Sequence, residues 1–346
     1  MRFFSYRLQT RMVRLTTYLA LLLGSAVFAL PFLWMVSSSF KDLETIFEYP
    51  PSFVPREIVR EEWNGKLRSR AAWQAQGGAR ERGYILDQRP GEYQVQAIAG
   101  GIGAAPKWVP ERSVQLEKRV RVRLENYPEA WSAKPFTRYL LNTLFVTALC
   151  ILGQVLTSSL VAFGFARLEF PGQNLFFLVV LATMMLPQEV TMIPTYLIFR
   201  SLGWIDTFLP LIVPSFLGGG AFSIFLFRQF FLTLPRELDE AARMDGCSSL
   251  GIYWNILMPL CKPIIATLAV FAFVGHWNDF LTPLIYLNSS DKFTLAIGLR
   301  FFQGVYLTDM HLLMAASTLV LLPVLVVFFL GQRYFVKSIV LSGIKG

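Results

Sequence analysis

Hydrophobic positions fall into six long runs, at about 15–39, 139–164, 174–199, 208–231, 264–287 and 311–335. Each is long enough for a helix to cross a hydrocarbon core of about 30 Å, which takes about 20 mainly apolar residues. The first run follows Arg2, Arg7, Arg11 and Arg14, as in a signal peptide. It continues through Trp34 to Val36 and meets no small-residue cleavage site, so it reads as an uncleaved anchor helix. Between the first two runs the pattern changes: Val114, Leu116, Val120, Val122 and Leu124 alternate with charged and polar residues. That period of two predicts strands, with turns at Gly77-Gly78 and Gly100-Gly101. A loosely ordered loop is the alternative, because about 70 residues make a marginal domain. The predicted fold is an all-α membrane protein of six helices with a small β-rich insert between helices 1 and 2.

Charge divides the chain in the same way. Of 32 Lys/Arg and 23 Asp/Glu in the 346 residues, 14 and 9 fall between Arg56 and Glu125. With 54% hydrophobic and 16% charged residues, the chain departs from soluble composition in both respects. The predicted divisions are 1–55, N-terminal tail and first helix; 56–123, insert; and 124–346, a five-helix core. Short-loop cations set the direction of the helices. With the N-terminus inside, the inner side holds the four N-terminal arginines, Arg167, Arg228, Arg236, Arg243, Lys262, Arg333, Lys337 and Lys345. The outer short loops hold Arg200, Lys292 and Arg300. Both termini are therefore expected inside and the insert outside. Cys150 falls in a helix and Cys247 and Cys261 in an inner loop, leaving the insert without a disulfide framework. The basic balance reflects the inner face and the insert, and no aromatic-basic motif points to nucleic acid.

The inner segment 235–263 carries the most specific signal. Pro235 suits a first helical turn. Glu237, Asp239 and Glu240 complement the positive end of a helix dipole, and Gly246 offers a left-handed stop after Asp245. A second helical stretch, Leu250 to Leu257, precedes Pro259 and Pro263. The sequence Glu240-Ala241-Ala242, three residues, Gly246, then Ile256-Leu257-Met258-Pro259 resembles the EAA loop of ABC importer permeases, with Met258 departing from the usual leucine.

Further segments resemble the carbohydrate-uptake, MalG-like branch. Pro50 to Pro55 and Leu124-Glu125-Asn126-Tyr127 resemble two usually adjacent pieces, here split by the insert. Leu141-Asn142-Thr143, Phe163 to Gly172, Trp277-Asn278-Asp279-Phe280 with Pro283, and the Lys345-Gly346 ending also follow the branch. The resemblance implies a permease forming half of the translocation pathway for a sugar or sugar-like solute delivered by an extracytoplasmic binding protein. Its implied partners are a second homologous permease and a cytoplasmic ABC ATPase dimer, in a bacterial or archaeal inner membrane. It further implies that the EAA helix enters a cleft on the ATPase. Glu240 would make polar contacts, Ala241 and Ala242 would permit close approach and Gly246 would set the turn, with Glu237, Asp245 and Pro259 in the same coupling set, and 338–346 would reach the same interface.

The chain lacks a phosphate-loop motif, and H-E-x-x-H, C-x-x-C and G-x-S-x-G are absent. It is therefore expected not to be an enzyme and to bind no cofactor or metal, with ATP and Mg used by the partner ATPase. Glu189 and Asp279 are acids within apolar runs, where charge is costly and faces the bundle or a cavity. Glu189, Trp277, Asn278 and Asp279 are candidate solute-pathway residues, with helix–helix bonding as the alternative. Asn142 and Gln154 are weaker pathway candidates with interhelical glue as the simpler reading, and His276 reads as a packing or pathway residue. A solute of the glycerol-phosphate kind, or a stand-alone channel or scaffold, are the rival readings.

Overall fold

The computed structural model describes residues 2–74, 80–98, 105–304 and 309–343. The turns expected at Gly77-Gly78 and Gly100-Gly101, and Lys345-Gly346 of the tail, lie outside the described residues. The chain divides into two compact units, Met1–Ala130 with Phe302–Thr318, and Trp131–Phe301 with Leu319–Gly346.

In the first unit, α1 (Arg2–Ser39) is followed by a short α2 (Leu43–Ile46). Eight strands follow: β1 (Arg56–Ile58), β2 (Arg60–Trp63), β3 (Lys66–Gln74), β4 (Arg80–Arg89), β5 (Glu92–Ala97), β6 (Lys107–Pro110), β7 (Val114–Leu116) and β8 (Lys118–Val120). One antiparallel sheet runs β2-β3-β4-β5-β6 with β7 added to β3, and β1 pairs with β8. Ala71, Ala72, Trp73, Tyr84 and Val95 form its buried interior. The alternation expected through Leu124 holds a face only as far as Leu116. Val120, Val122 and Leu124 are exposed, because β8 ends at Val120 and pairs only with the three-residue β1. Asn126 ties the far end of the insert to the end of α1, its Nδ2 donating to the carbonyls of Ser39 (2.8 Å) and Lys41 (2.9 Å).

The remaining helices are α3 (Asn126–Ser132), α4 (Phe136–Arg167), α5 (Gln173–Thr183), α6 (Gln188–Ser201), α7 (Leu209–Phe216), α8 (Ala221–Thr233), α9 (Glu237–Met244), α10 (Ser249–Ile252), α11 (Met258–Leu260), α12 (Lys262–Trp277), α13 (Leu281–Tyr286), α14 (Leu295–Arg300) and α15 (Met310–Gly343). A π-turn, Tyr253–Leu257, joins α10 to α11. In the second unit α4 is the central helix, packed along α7, α8 and α12. Small residues on α4 allow this: Ser158, Ser159, Ala162 and Ala166 are buried, and contact through small side chains is how apolar spans associate in lipid. Between α7 and α8, Gly219 has φ +66°, and a Cβ there would lie 2.1 Å from Ser158 Oγ, so only glycine lets this corner touch α4. Gln154 donates to Ser223 Oγ (2.7 Å), and Asn142 to the Asp291 (2.9 Å) and Phe293 (3.0 Å) carbonyls. Gln154 thus bridges α4 and α8, whereas Asn142 fastens α4 to the turn at Ser290–Lys292 and the residue after it.

Among the described residues, four stretches are long and apolar enough to cross a membrane, Thr10–Ser39, Phe136–Arg167, Leu209–Thr233 and Met310–Gln332, or six if each of two bent pairs is one span. The third predicted run is not one helix: α5 and α6 meet at 95°, where Pro187 has no N–H to continue the ladder. The fifth is also interrupted. Within it α12 stops at Trp277, before α13, and ahead of it residues 249–260 meet α12 at 78° beside Pro259 and Pro263.

Candidate functional sites

Within segment 235–263, residues Glu237–Met244 fold as a short helix with two defined ends. Helix α9 begins at Glu237, so Pro235 stands ahead of the first turn rather than inside it. Gly246 adopts φ +85° and donates to the Arg243 carbonyl (3.0 Å), while Cys247 donates to that of Ala242 (2.9 Å). These two bonds form the glycine stop that the sequence predicts. Ser248 then caps the next helix, its Oγ accepting from Gly251 N (3.2 Å). The helix turns Glu237, Glu240, Ala241 and Asp245 to the surface, with Gly246 and Pro259 also exposed, and buries Asp239 and Ala242. Ala242 joins the core formed by Ala166, Phe231, Ile252 and Leu257, so its small side chain serves packing within this subunit. The two alanines expected to share one docking face therefore divide between surface and core. Large apolar side chains share the exposed surface, among them Leu238, Met244 (90% exposed), Leu250 and Trp254.

An ion pair fixes this helix to the core. Arg167, the last residue of α4, lies with its Nε 3.3 Å from Asp239 Oδ2, and both side chains are almost fully buried. Its Nη2 also donates to the Leu234 carbonyl (2.9 Å), just before α9. The guanidinium thus meets a carboxylate and a carbonyl acceptor at the negative end of its own helix. Sequence reading assigned Arg167 to the inner positive charge and Asp239 to the dipole of α9; nothing in a single sequence pairs positions 72 residues apart. Above the pair, a surface cleft of about 510 Å³ is lined by Arg236, Arg243, Glu169 and Glu240. Nearby, Arg228 donates to the Phe165 carbonyl (3.2 Å) and stands 4.1 Å over the Phe177 ring.

A second cleft, also about 510 Å³, opens where the two interrupted runs meet. Glu189, in the first turn of α6, and Asp279, between α12 and α13, both line it, with His276, Thr191, Thr195, Ser215 and Tyr286. Asp279 Oδ1 accepts from Thr282 N (3.1 Å), which starts α13. The other two candidates lie elsewhere. Trp277 is 1% exposed, stacks on Phe273 and donates Nε1–H to the Val320 carbonyl (3.1 Å), leaving no ring face for a solute. Asn278 donates to the Val274 carbonyl (2.9 Å) and closes its own helix. The aromatic–amide–acid run does not act as one group, because α12 ends at Trp277 and successive side chains then diverge. The cleft hydroxyls of Thr191, Thr195 and Ser215 were missed; serine and threonine are common within spans, and only the fold brings Thr191 and Thr195 of α6 to the same cleft as Ser215 of α7.

Apolar spans in two broken and several continuous pieces, a polar cleft at the breaks and a capped helix between spans define a multi-pass membrane transport subunit. The family described as "Binding-protein-dependent transport system inner membrane component" matches residues 131–340, and the chain belongs to it. It is a permease subunit of an ABC importer, a class that works with a second permease, an ATPase and a binding protein. Among its relatives, the arabinooligosaccharides transport system permease protein AraQ of Bacillus subtilis (strain 168) is 38% identical over 213 residues, 62% of this chain and 74% of that one. The sn-glycerol-3-phosphate transport system permease protein UgpE of Escherichia coli O1:K1 / APEC is 38% identical over 225 residues, 63% of this chain and 79% of that one. These relatives are permeases and not ATPases. A chain of a bacterial ABC transporter involved in the import of the acidic polysaccharide alginate has the same fold, with a TM-score of 0.67, 18% identity, and coverage of 94% of this chain and 97% of that one.

Proposed function

We propose that this permease forms half of the path for a sugar or sugar-like solute in a bacterial or archaeal cytoplasmic membrane, and that α9 is its contact with the ATPase. The cleft between the two broken runs carries this reading. Irregular backbone at membrane depth is tolerated where it is buried in protein or lines a water-filled cavity, and this cavity presents hydroxyls and carboxylates suited to a polyhydroxylated solute. The relatives named for arabinooligosaccharides support the same solute class.

In the proposed orientation both termini and α9 are cytoplasmic and residues 56–123 are extracytoplasmic. The outward face of α9, with Glu237, Glu240, Ala241 and Met244, enters the ATPase cleft, and Asp245, Gly246 and Pro259 hold the loop in shape. Closure of the ATPase dimer displaces α9. The buried Arg167–Asp239 pair and the packing of Ala242 pass that displacement to α4, while the chain itself passes it to α8 and α10–α12. Motion in packed elements of this kind is transmitted as rigid-body rotation. The permease binds no nucleotide; ATP and Mg act on the partner ATPase. The insert contacts the binding protein or the second permease.

The test is purification of the tagged chain from detergent-solubilised membranes, identification of the retained proteins and assay of ATP hydrolysis. An ATPase and a second permease should be retained. Hydrolysis should rise when the loaded binding protein is added, and replacing residues 56–123 with a short linker should weaken that protein's affinity. A chain recovered alone, without hydrolysis, overturns the proposal. Unchanged affinity in the linker variant, with assembly and transport intact, removes the role of the insert.

A further inference from the structure

The cleft between the broken runs carries an uncompensated negative charge. Of its lining residues, Glu189 and Asp279 are acids and His276 is the sole nitrogen base, with no lysine or arginine among them. The ion pairs formed by the described residues include neither carboxylate. Asp279 accepts a backbone N–H from Thr282, which holds its carboxylate at the mouth of α13 without neutralising it. Glu189 is exposed in the first turn of α6. Two unconnected breaks in the helices therefore deliver one acid each to the same polar space. A carboxylate within a span is costly, and packing alone gives no reason for two of them to face one cavity. Walls of low dielectric focus such a charge and change the local concentration of charged solutes by about tenfold or more.

We propose that this cleft is a charge filter. It admits uncharged polyhydroxylated solutes, or solutes bearing an amine, and disfavours phosphate esters and carboxylated sugars. Glu189 and Asp279 set the selectivity, while Thr191, Thr195 and Ser215 offer hydroxyls to the solute. The inference rests on reading the chain as a permease, but its test does not depend on transport.

A cysteine is placed at Thr195 in a background lacking the exposed Cys247 (Cys247→Ser), with Cys150 and Cys261 left buried. In native membrane vesicles, modification rates are measured with a cationic trimethylammonium-ethyl and an anionic sulfonatoethyl methanethiosulfonate. Each rate is divided by that of the same reagent with 2-mercaptoethanol. The cationic reagent should be preferred about tenfold, and the preference should vanish when Glu189→Gln and Asp279→Asn are combined. A second cysteine at Ser215 repeats the measurement should the Thr195 variant not accumulate. Absence of a cationic preference, a preference that survives neutralisation, or no modification at either position overturns the filter. Failure of the permease reading would appear instead as a chain that purifies without an ATPase, whatever the labelling ratio.

Discussion

Arg167 and Asp239 illustrate what a buried charge does where α9 meets α4. Removing one partner of such a pair leaves the other desolvated and costs on the order of 3–5 kcal/mol, whereas replacing both with apolar residues is often neutral. Arg167→Met or Asp239→Asn should therefore lower the temperature of thermal inactivation of the purified complex, and Arg167→Met with Asp239→Leu should recover most of it. In the double variant uptake per ATP hydrolysed should remain low, because the apolar pair no longer anchors the Leu234 carbonyl. Single variants as stable as the wild type would show that the pair does not fasten α9. Asp206 gives a second case, in the loop before α7. Its carboxylate accepts from Ser289 Oγ (2.5 Å), Ser289 N (2.9 Å), Asn288 N (3.0 Å) and Lys292 Nζ (2.9 Å). The Ser289 hydroxyl first, then the two backbone N–H groups and Lys292, hold its pKa well below the usual carboxylate range. A depressed folded pKa stabilises the loop above the unfolded value of about 3.9 and loses that contribution as pH falls towards the folded one. Hydrogen exchange at 287–293 should thus be slow at neutral pH, faster in Asp206→Asn, and the difference should shrink below about pH 4. Equal exchange in the two proteins at neutral pH would refute the role. Neither residue was legible as a partner, since both contacts join positions far apart in sequence.

At the scale of elements, hydrophobic length located the spans but not their breaks. A run of apolar residues reads the same whether the helix is straight or bent. The third run contains Pro187 and Pro194, yet only Pro187 coincides with the bend; Pro194 stays within α6. Short-range signals were more informative. The acidic first turn of α9, its glycine stop and the proline-rich approach to α12 are each set by a few adjacent residues, and the helix follows them closely. The insert was legible as strands where alternation met a pairing strand, as at Val114 and Leu116 on β7, and not where the partner ran out after Val120. Of the four pathway candidates, Glu189 and Asp279 reach the cleft, while Trp277 and Asn278 complete the end of α12. That division follows from the helix ending at Trp277, a boundary that composition does not mark.

Across the whole molecule, the family match covers the core from residue 131 onwards and leaves the insert outside it. We place the work of transport in that core and propose that ATP, hydrolysed by a partner, acts on it through α9. The most direct test of that claim compares uptake and ATP hydrolysis in the same proteoliposomes, containing the full complex and its binding protein. It uses wild type, Glu240→Lys, which reverses an exposed charge on α9, and Gly246→Val, which strains a left-handed turn. Coupling through α9 predicts that both variants assemble and hydrolyse ATP while uptake falls by about tenfold or more. Uptake at the wild-type rate in both variants would contradict it.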